Sequence, residues 1–327
     1  MEKMLTVTDR EYKATGKLTF CEMDEPDIED NEVLIEVKAI GVNRPDILQK
    51  KGFYSPPEWV SKILGLECSG TIEKIGKKVL QFKKGDRVCA LTSGGSYAEK
   101  VAAHEGHCFL LPNNLSFSEG CILPEAYMTC WLNIIEKGLL KEKNIILIHG
   151  GSSGIGSAAI QISKWLGAKV VTTVRDNSKK IFCERMGSDL VINSREDDFC
   201  NKTLAYYPDG VDLVLDMIGG NFTEKNICCL KQNGRLIQIA FLGGQYPQIN
   251  LMEIMKKQIV ITGSLLRSQT DSEKKRIARL ITMHIWDHIT KKPFKSCLYK
   301  EFAFAEVNEA HQLMENFKHV GKIALKV

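Results

Sequence analysis

The stretch Gly150-Gly151-Ser152-Ser153-Gly154-Ile155-Gly156 limits what this chain can fold into more than any other segment. It follows NIILIHG, a short β-branched run suited to a strand covered on both faces, and it opens SAAIQISKWLG, whose apolar positions recur at helical spacing. Glycines in that slot make the turn of a βαβ unit, where missing Cβ atoms let the backbone approach a pyrophosphate and the helix start offers N–H groups to its charge. Gly151, Ser152, Ser153, Gly154, Ile155 and Gly156 are therefore candidate dinucleotide contacts. The pattern continues through KVVTTV, a helix ending near Met186, DLVIN, another helix, VDLVLDMIG and GRLIQIAFLGG. That alternation predicts a doubly wound α/β domain on a parallel sheet.

The chain before Leu123 reads differently. Short β-rich runs (EVLIEVKAIGVN, CSGTIEKIG, KKGDRVCAL, SYAEKVAA) are punctuated by Gly41, Gly70, Gly76, Gly85 and Gly94, which predicts an antiparallel barrel or sandwich. A helical segment, PEAYMTCWLNIIEKG, leads into the α/β part. After it come a predicted helix from about Asp271 to His288, a strand near CLYKEFAF, a helix from about Val307 to Phe317 and a closing strand, GKIALKV. A length of 327 residues, at roughly 150 per domain, leads us to expect two domains.

Charge and cysteine usage exclude other classes. Lys plus Arg is 44 against 40 acidic residues, a dispersed excess of +4 that argues against a nucleic-acid partner. No run of 18 apolar residues occurs, so neither a membrane span nor a signal peptide is expected. The 11 cysteines include no CxxC pair and read as reduced thiols of a cytoplasmic protein.

Gly150, Gly154 and Gly156 also fit the GxxxGxG spacing of short-chain dehydrogenases, but no tyrosine here has a lysine four residues later and the loop lies far from the start of the chain. A β-rich segment before the nucleotide unit and a return segment after it resemble the medium-chain dehydrogenase/reductase superfamily. The segments VNRPDILQKKGFYSPP, ILGLECSGTIEKIG, LPEAYMTCW, DMIGGNFTEKN, GSLLRS and GKIALKV are similar to its zinc-independent quinone oxidoreductases, with IGGNFTEKN and GSLLRS pointing to the p53-inducible branch. The resemblance implies a discontinuous GroES-like β-barrel catalytic domain, residues 1–124 and 268–327, around a Rossmann domain, residues 125–267. It also implies NADPH as cofactor and a quinone as acceptor.

Zinc-dependent relatives place a cysteine after the strand that here ends at Val42, and a histidine in a GHE motif. This chain has Asn43 and Arg44 in the first region and Leu66 in Gly65-Leu66-Glu67, a set unsuited to zinc. His104 with His107, and His284 with His288, are thin metal candidates.

An acidic residue at the tip of the second Rossmann strand favours NADH, whereas cations there accept the extra phosphate of NADPH. After Val174 stand Arg175 and Lys179, with Asp176 between them as the dissenting charge and Ser194 where relatives carry a tyrosine. By resemblance Asn43, Tyr54 and Thr129 form the catalytic side, while Asn193, Ile218, Phe241, Leu266, Arg267 and Lys322 contact the cofactor. For Tyr54 and Phe241 plain packing remains open, and for Arg267 a domain-closing salt bridge.

Two other functions stay open. Reduction of an enone, enal or enoyl thioester uses the same hydride, and Lys50 and Lys51 offer charge for a carrier phosphate. A non-catalytic NADPH-binding role, structural or RNA-binding, also has precedent among related proteins. The apolar strand KQIVITGSLL and the family precedent imply a homodimer or homotetramer joined along that edge.

Overall fold

The computed structural model describes residues 2–58, 60–290 and 294–327. The chain forms two compact units, Met1–Met128 with Arg267–Val327, and Thr129–Leu266. The expected breaks after residues 124 and 267 thus fall at 128 and 266 in the Cα packing.

In chain order the strands are β1 (Lys3–Thr8), β2 (Thr19–Asp24), β3 (Glu32–Val42), β4 (Glu67–Ile75), β5 (Arg87–Leu91), β6 (Lys100–His104) and β7 (Cys108–Leu110), all in the first unit. The second unit contributes β8 (Ile145–Ile148), β9 (Lys169–Val174), β10 (Leu190–Asn193), β11 (Val211–Asp216), β12 (Leu230–Gln238) and β13 (Val260–Gly263). Strands β14 (Leu298–Ala303) and β15 (Lys322–Lys326) return to the first unit.

The first unit is built on a seven-stranded sheet of order β14-β15-β3-β4-β5-β7, with β6 paired to the first half of β3 along the edge that β15 takes further on, and a separate β1-β2 ribbon. Its long strand β3 shifts register twice against β4, at Leu34/Ile35 and at Val37/Ala39. Such irregularities bend a strand and let a sheet curl toward closure. Val33, Ile35, Val37, Ile40 and Val42 point into the core with Ile72, Val88, Tyr97 and Leu325. This is the GroES-like domain.

The second unit has six parallel strands in the order β10-β9-β8-β11-β12-β13. Renumbered within the unit this is 3-2-1-4-5-6, the Rossmann order, whose crevice opens beyond the C-terminal ends of β8 and β11. Leu147, Val171, Val214 and Leu236 fill its core, as expected for β-branched and leucine-rich strands covered on both faces.

Two helix predictions need correction. The segment from Pro124 begins as an α-helix to Cys130 but widens to a π-helical turn over Trp131–Lys137. The helix expected to His288 ends at His284, where Ile285 leaves helical geometry, and a short helix resumes over Trp286–Thr290. No described helix is long and apolar enough to cross a membrane. None of the 11 cysteines is in a disulfide: nine are buried, Cys21 is half-buried and Cys228 exposed.

Candidate active site

In the second unit the glycine loop follows β8. Gly150 adopts φ +65°, a conformation glycine reaches without a Cβ penalty. A Cβ on Gly156 would lie 2.3 Å from the Gly150 carbonyl oxygen, so only glycine lets the helix Gly154–Trp165 begin this close to the turn. Ser153 caps that helix, its hydroxyl accepting from the Gly156 N–H at 3.0 Å. Gly151 donates to the Thr173 carbonyl, Ser152 is buried, and Ile155 lies half-buried in the first turn. A turn closed on its own backbone in front of a capped helix suits a pyrophosphate.

Beneath the loop lies a network that sequence reasoning missed. His149, fully buried, meets the Thr173 hydroxyl through Nδ1 (2.9 Å) and donates from Nε2 to Asn226 Oδ1 (2.6 Å). Asn226 in turn donates to Asp216 at the end of β11 (3.0 Å). Burial holds the His149 pKa below its ordinary value, so the ring is neutral. Asp216 also accepts from the N–H groups of Ile218 (2.6 Å) and Gly219 (3.2 Å). The loop carrying Ile218 is zipped to the one carrying Phe241 by Leu242 N–H to Met217 and Gly243 N–H to Ile218. Phe241 is 59% exposed, so it is not packing filler, whereas Leu266 is buried.

At the tip of β9, Arg175 is exposed and Lys179 half-buried. Asp176 is used locally: its carboxylate accepts from the Ser178 N–H at 2.9 Å and caps a short turn. Ser194 bonds back to Val174, and buried Asn193 turns the chain by accepting from the Arg195 N–H (3.1 Å). Arg195 stands close enough to Arg175 to help lower its pKa, second to burial, and is a third cation that the sequence reading passed over.

In the first unit, register brings the second group of residues together. Val42 pairs with Ile323 and Ile40 with Cys68, which sets Asn43, Glu67 and Lys322 side by side at one end of β15, β3 and β4. Lys322 and Glu67 are buried, with Nζ 2.5 Å from Oε1. Asn43 donates to the same oxygen at 2.9 Å and accepts from Lys322 through its own amide oxygen. The other Glu67 oxygen takes the Glu125 N–H at 2.9 Å. A Cβ on Gly41 would come within 2.3 Å of the Glu67 carboxylate, which explains a glycine in the middle of that strand. Burial alone would lower the Lys322 pKa, but Glu67 outweighs it and the net shift is upward.

Asp46 sits beneath, accepting from the Asn43 N–H (2.8 Å) and the Gly65 N–H (3.2 Å). Burial pushes it up to about 7, and burial with Glu67 does the same for Glu125. Glu67, Asp46 and Glu125 were given no role from sequence. Their signal was an acid inside an otherwise apolar run, as in ILGLECSG and LPEAYM.

Tyr54 is half-buried with the Arg267 guanidinium 5.3 Å from its ring centroid. Burial, and then Glu125, hold its hydroxyl above the ordinary tyrosine range. Among the described residues Arg267 makes no salt bridge, in place of the domain-closing one: its Nε donates to the Ser93 carbonyl (2.8 Å) and its Nη1 to Gln49 (3.0 Å). Lys50 and Lys51 are also reassigned, because both pair with Glu315, at 3.4 and 2.9 Å, and Lys50 is buried. Thr129, half-buried, gives its carbonyl to Asn133 at 2.8 Å. Among the described residues the one cluster with metal-ligand spacing is Glu2, Glu25 and Glu73, whose centre is already taken by the Lys100 ammonium.

Residues 29–113 match the alcohol dehydrogenase GroES-like domain and residues 154–282 the zinc-binding dehydrogenase family. Human quinone oxidoreductase is 30% identical over 305 residues, 90% of this chain and 89% of that protein. The chain belongs to the medium-chain dehydrogenase/reductase superfamily. A zebrafish synaptic vesicle membrane protein VAT-1 homolog is 30% identical over 92% of this chain, which spans 65% of that protein's length. Two solved structures of the superfamily's fold also align. The CurK enoyl reductase gives TM-score 0.87 at 25% identity, covering 99% of each chain, and a mycobacterial protein complexed with NADPH gives 0.87 at 24% identity over 99% and 100%. As a member of the superfamily the chain is an oxidoreductase with a nucleotide-binding domain.

Proposed function

We propose that the chain is an NADPH-dependent quinone oxidoreductase working without zinc. The observation that carries this reading is the buried Asn43-Glu67-Lys322 cluster, since an ammonium, an amide and a carboxylate already bonded to both do not fit zinc, which takes thiolate, imidazole or free carboxylate ligands. A quinone needs no Lewis acid, being electrophilic already.

The glycine loop, with Gly151 through Gly156, fits the pyrophosphate of NADPH, which when bound supplies a hydride. Arg175, Lys179 and Arg195 would hold its extra phosphate, three cations against the single carboxylate of Asp176, which is turned to the Ser178 N–H. Asn193, Ile218, Phe241 and Leu266 belong to the segments that would surround the rest of the cofactor. In the first unit Tyr54 keeps its proton and would release it to the reduced acceptor, while Asn43 is oriented by Glu67 and Lys322.

Exposed Val260 and Ile261 on the edge strand β13 support a homodimer, and thiols outside any disulfide suit a cytoplasmic location. The second reading, an enone or enoyl-thioester reductase, draws on the likeness to the CurK enoyl reductase, but the pairing of Lys50 and Lys51 with Glu315 removes its carrier-phosphate support.

The test is a turnover panel of ortho-quinone, para-quinone, enone and enoyl thioester with NADPH and NADH, before and after chelator treatment. NADPH oxidation by a quinone, insensitive to chelator, is the expected result. Preference for the thioester would replace the reading, and NADPH binding without any turnover would favour a non-catalytic role.

A further inference from the structure

Arg267 and Lys274 are buried, 9% and 3% exposed, and neither has a carboxylate within ion-pair distance among the described residues. Every acceptor they use is neutral. Arg267 spends Nε on the Ser93 carbonyl and Nη1 on the Gln49 amide, while Lys274 donates to the Ser93 hydroxyl (2.9 Å) and to the Arg267 carbonyl (3.1 Å). Ser93 thereby ties the two cations together. The remaining nitrogen of Arg267, Nη2, is buried and without a hydrogen-bond partner, and the guanidinium lies over the Tyr54 ring.

Two adjacent buried cations with no carboxylate in direct contact, one of them carrying an orphaned donor, are costly, and Asp46, Glu125 and Asp271 act on them only from further off. An anion arriving at Nη2 would relieve both deficits at once. Glu125 is not that anion in full, since it titrates near neutrality.

We propose that Arg267, backed by Lys274, holds the oxygen of a conjugated carbonyl acceptor as it becomes negatively charged, with the Tyr54 ring beside the acceptor. This assigns Arg267 to the acceptor rather than to the cofactor, and it rests on the oxidoreductase reading above. The cofactor, when bound, would supply a hydride to the conjugated system; the carbonyl π pair would then move onto the oxygen, which Nη2 of Arg267 would hold, and that oxyanion would take one proton from Tyr54 or solvent. Two electrons would thus pass from the cofactor to the acceptor, with one proton taken up. The substrate class is therefore a quinone or enone whose reduction product passes through an oxyanion, with the rate gained by stabilising that charge.

The experiment uses the full chain with NADP+ bound, so that no turnover occurs, and titrates two probes by calorimetry. Lawsone is a naphthoquinone whose hydroxyl is ionised at neutral pH, and menadione is its neutral counterpart. Arg267→Met should weaken lawsone binding by about tenfold or more and menadione binding by less than about threefold. With NADPH, kcat for menadione should fall more than its KM rises, which marks loss of a transition-state interaction. Lys274→Met should show the same pattern more weakly, and Arg267→Lys should recover part of the lawsone affinity.

Equal lawsone affinity in wild type and in Arg267→Met of unchanged melting temperature would overturn the proposal. If Arg267→Met does not fold, Arg267→Lys and Lys274→Met carry the same comparison. If the wild type reduces no quinone or enone, the quinone-reductase reading falls, while the lawsone titration still decides whether the anion subsite exists.

Discussion

The glycine loop of the second unit and the charged cluster of the first solve opposite problems. The loop works with backbone: seven consecutive residues, three of them glycines because a side chain would collide or strain, hold the turn tight against the start of its helix. The cluster works with side chains brought together from residues 43, 46, 67, 125 and 322, each buried charge balanced by hydrogen bonds or by a raised pKa. The loop holds its shape by itself, because its bonds are internal. Removing one member of the cluster leaves the others uncompensated.

That contrast sets the order of expected effects. Lys322→Met should be the most damaging change, costing about 3–5 kcal/mol because it strands Glu67 in the core. Thermal melting checks this, and a drop of less than a few degrees would show the cluster is wetter than its burial implies. Gly156→Ala comes next: the added Cβ forces the turn away from the helix, and NADPH affinity should fall on the order of a hundredfold with little loss in the melting of the first unit. Titration of NADPH fluorescence would measure it. A smaller effect is expected for Arg195→Ala, which should reduce the preference for NADPH over NADH in kcat/KM by about tenfold and leave NADH turnover unchanged.

The subtlest effect is on pH. Asp46 and Glu125 have pKa values near 7 in the folded protein, above those of an unfolded chain. The folded state therefore binds more protons between those limits, so their contribution to stability is complete below about pH 4 and is lost as the pH rises through about 7. Glu125→Gln should flatten the fall in melting temperature between pH 5 and 8, and an unchanged slope would remove Glu125 from the titrating set.

The same contrast explains what could be read beforehand. The strand, the loop and the capped helix lie within about 20 consecutive residues, where periodicity and turn chemistry act locally, so the Rossmann unit was legible to its glycines. Arg195 escaped because only the parallel pairing of β10 with β9 brings it near Arg175. Asn43 and Lys322 were identified through family resemblance, yet their mutual bond depends on register between strands 279 residues apart. Glu67, in the middle of an apolar run, looked like an anomaly until its three donors were visible. Lys50 and Lys51 misled for the converse reason: two adjacent lysines look like a solvent-facing charge pair until Glu315 is placed against them.

The antiparallel pairing of β15 with β3 has a consequence for biosynthesis. During translation, β3 emerges early with its β15-facing edge bare, while all six strands of the nucleotide unit appear and can pair before β15 exists. The Glu67 carboxylate therefore waits for its ammonium until the very last strand arrives. A nascent chain arrested before residue 322 should accordingly show a protease-resistant 129–266 core with the remainder digestible, and a chaperone-dependent interval should be confined to the N-terminal unit.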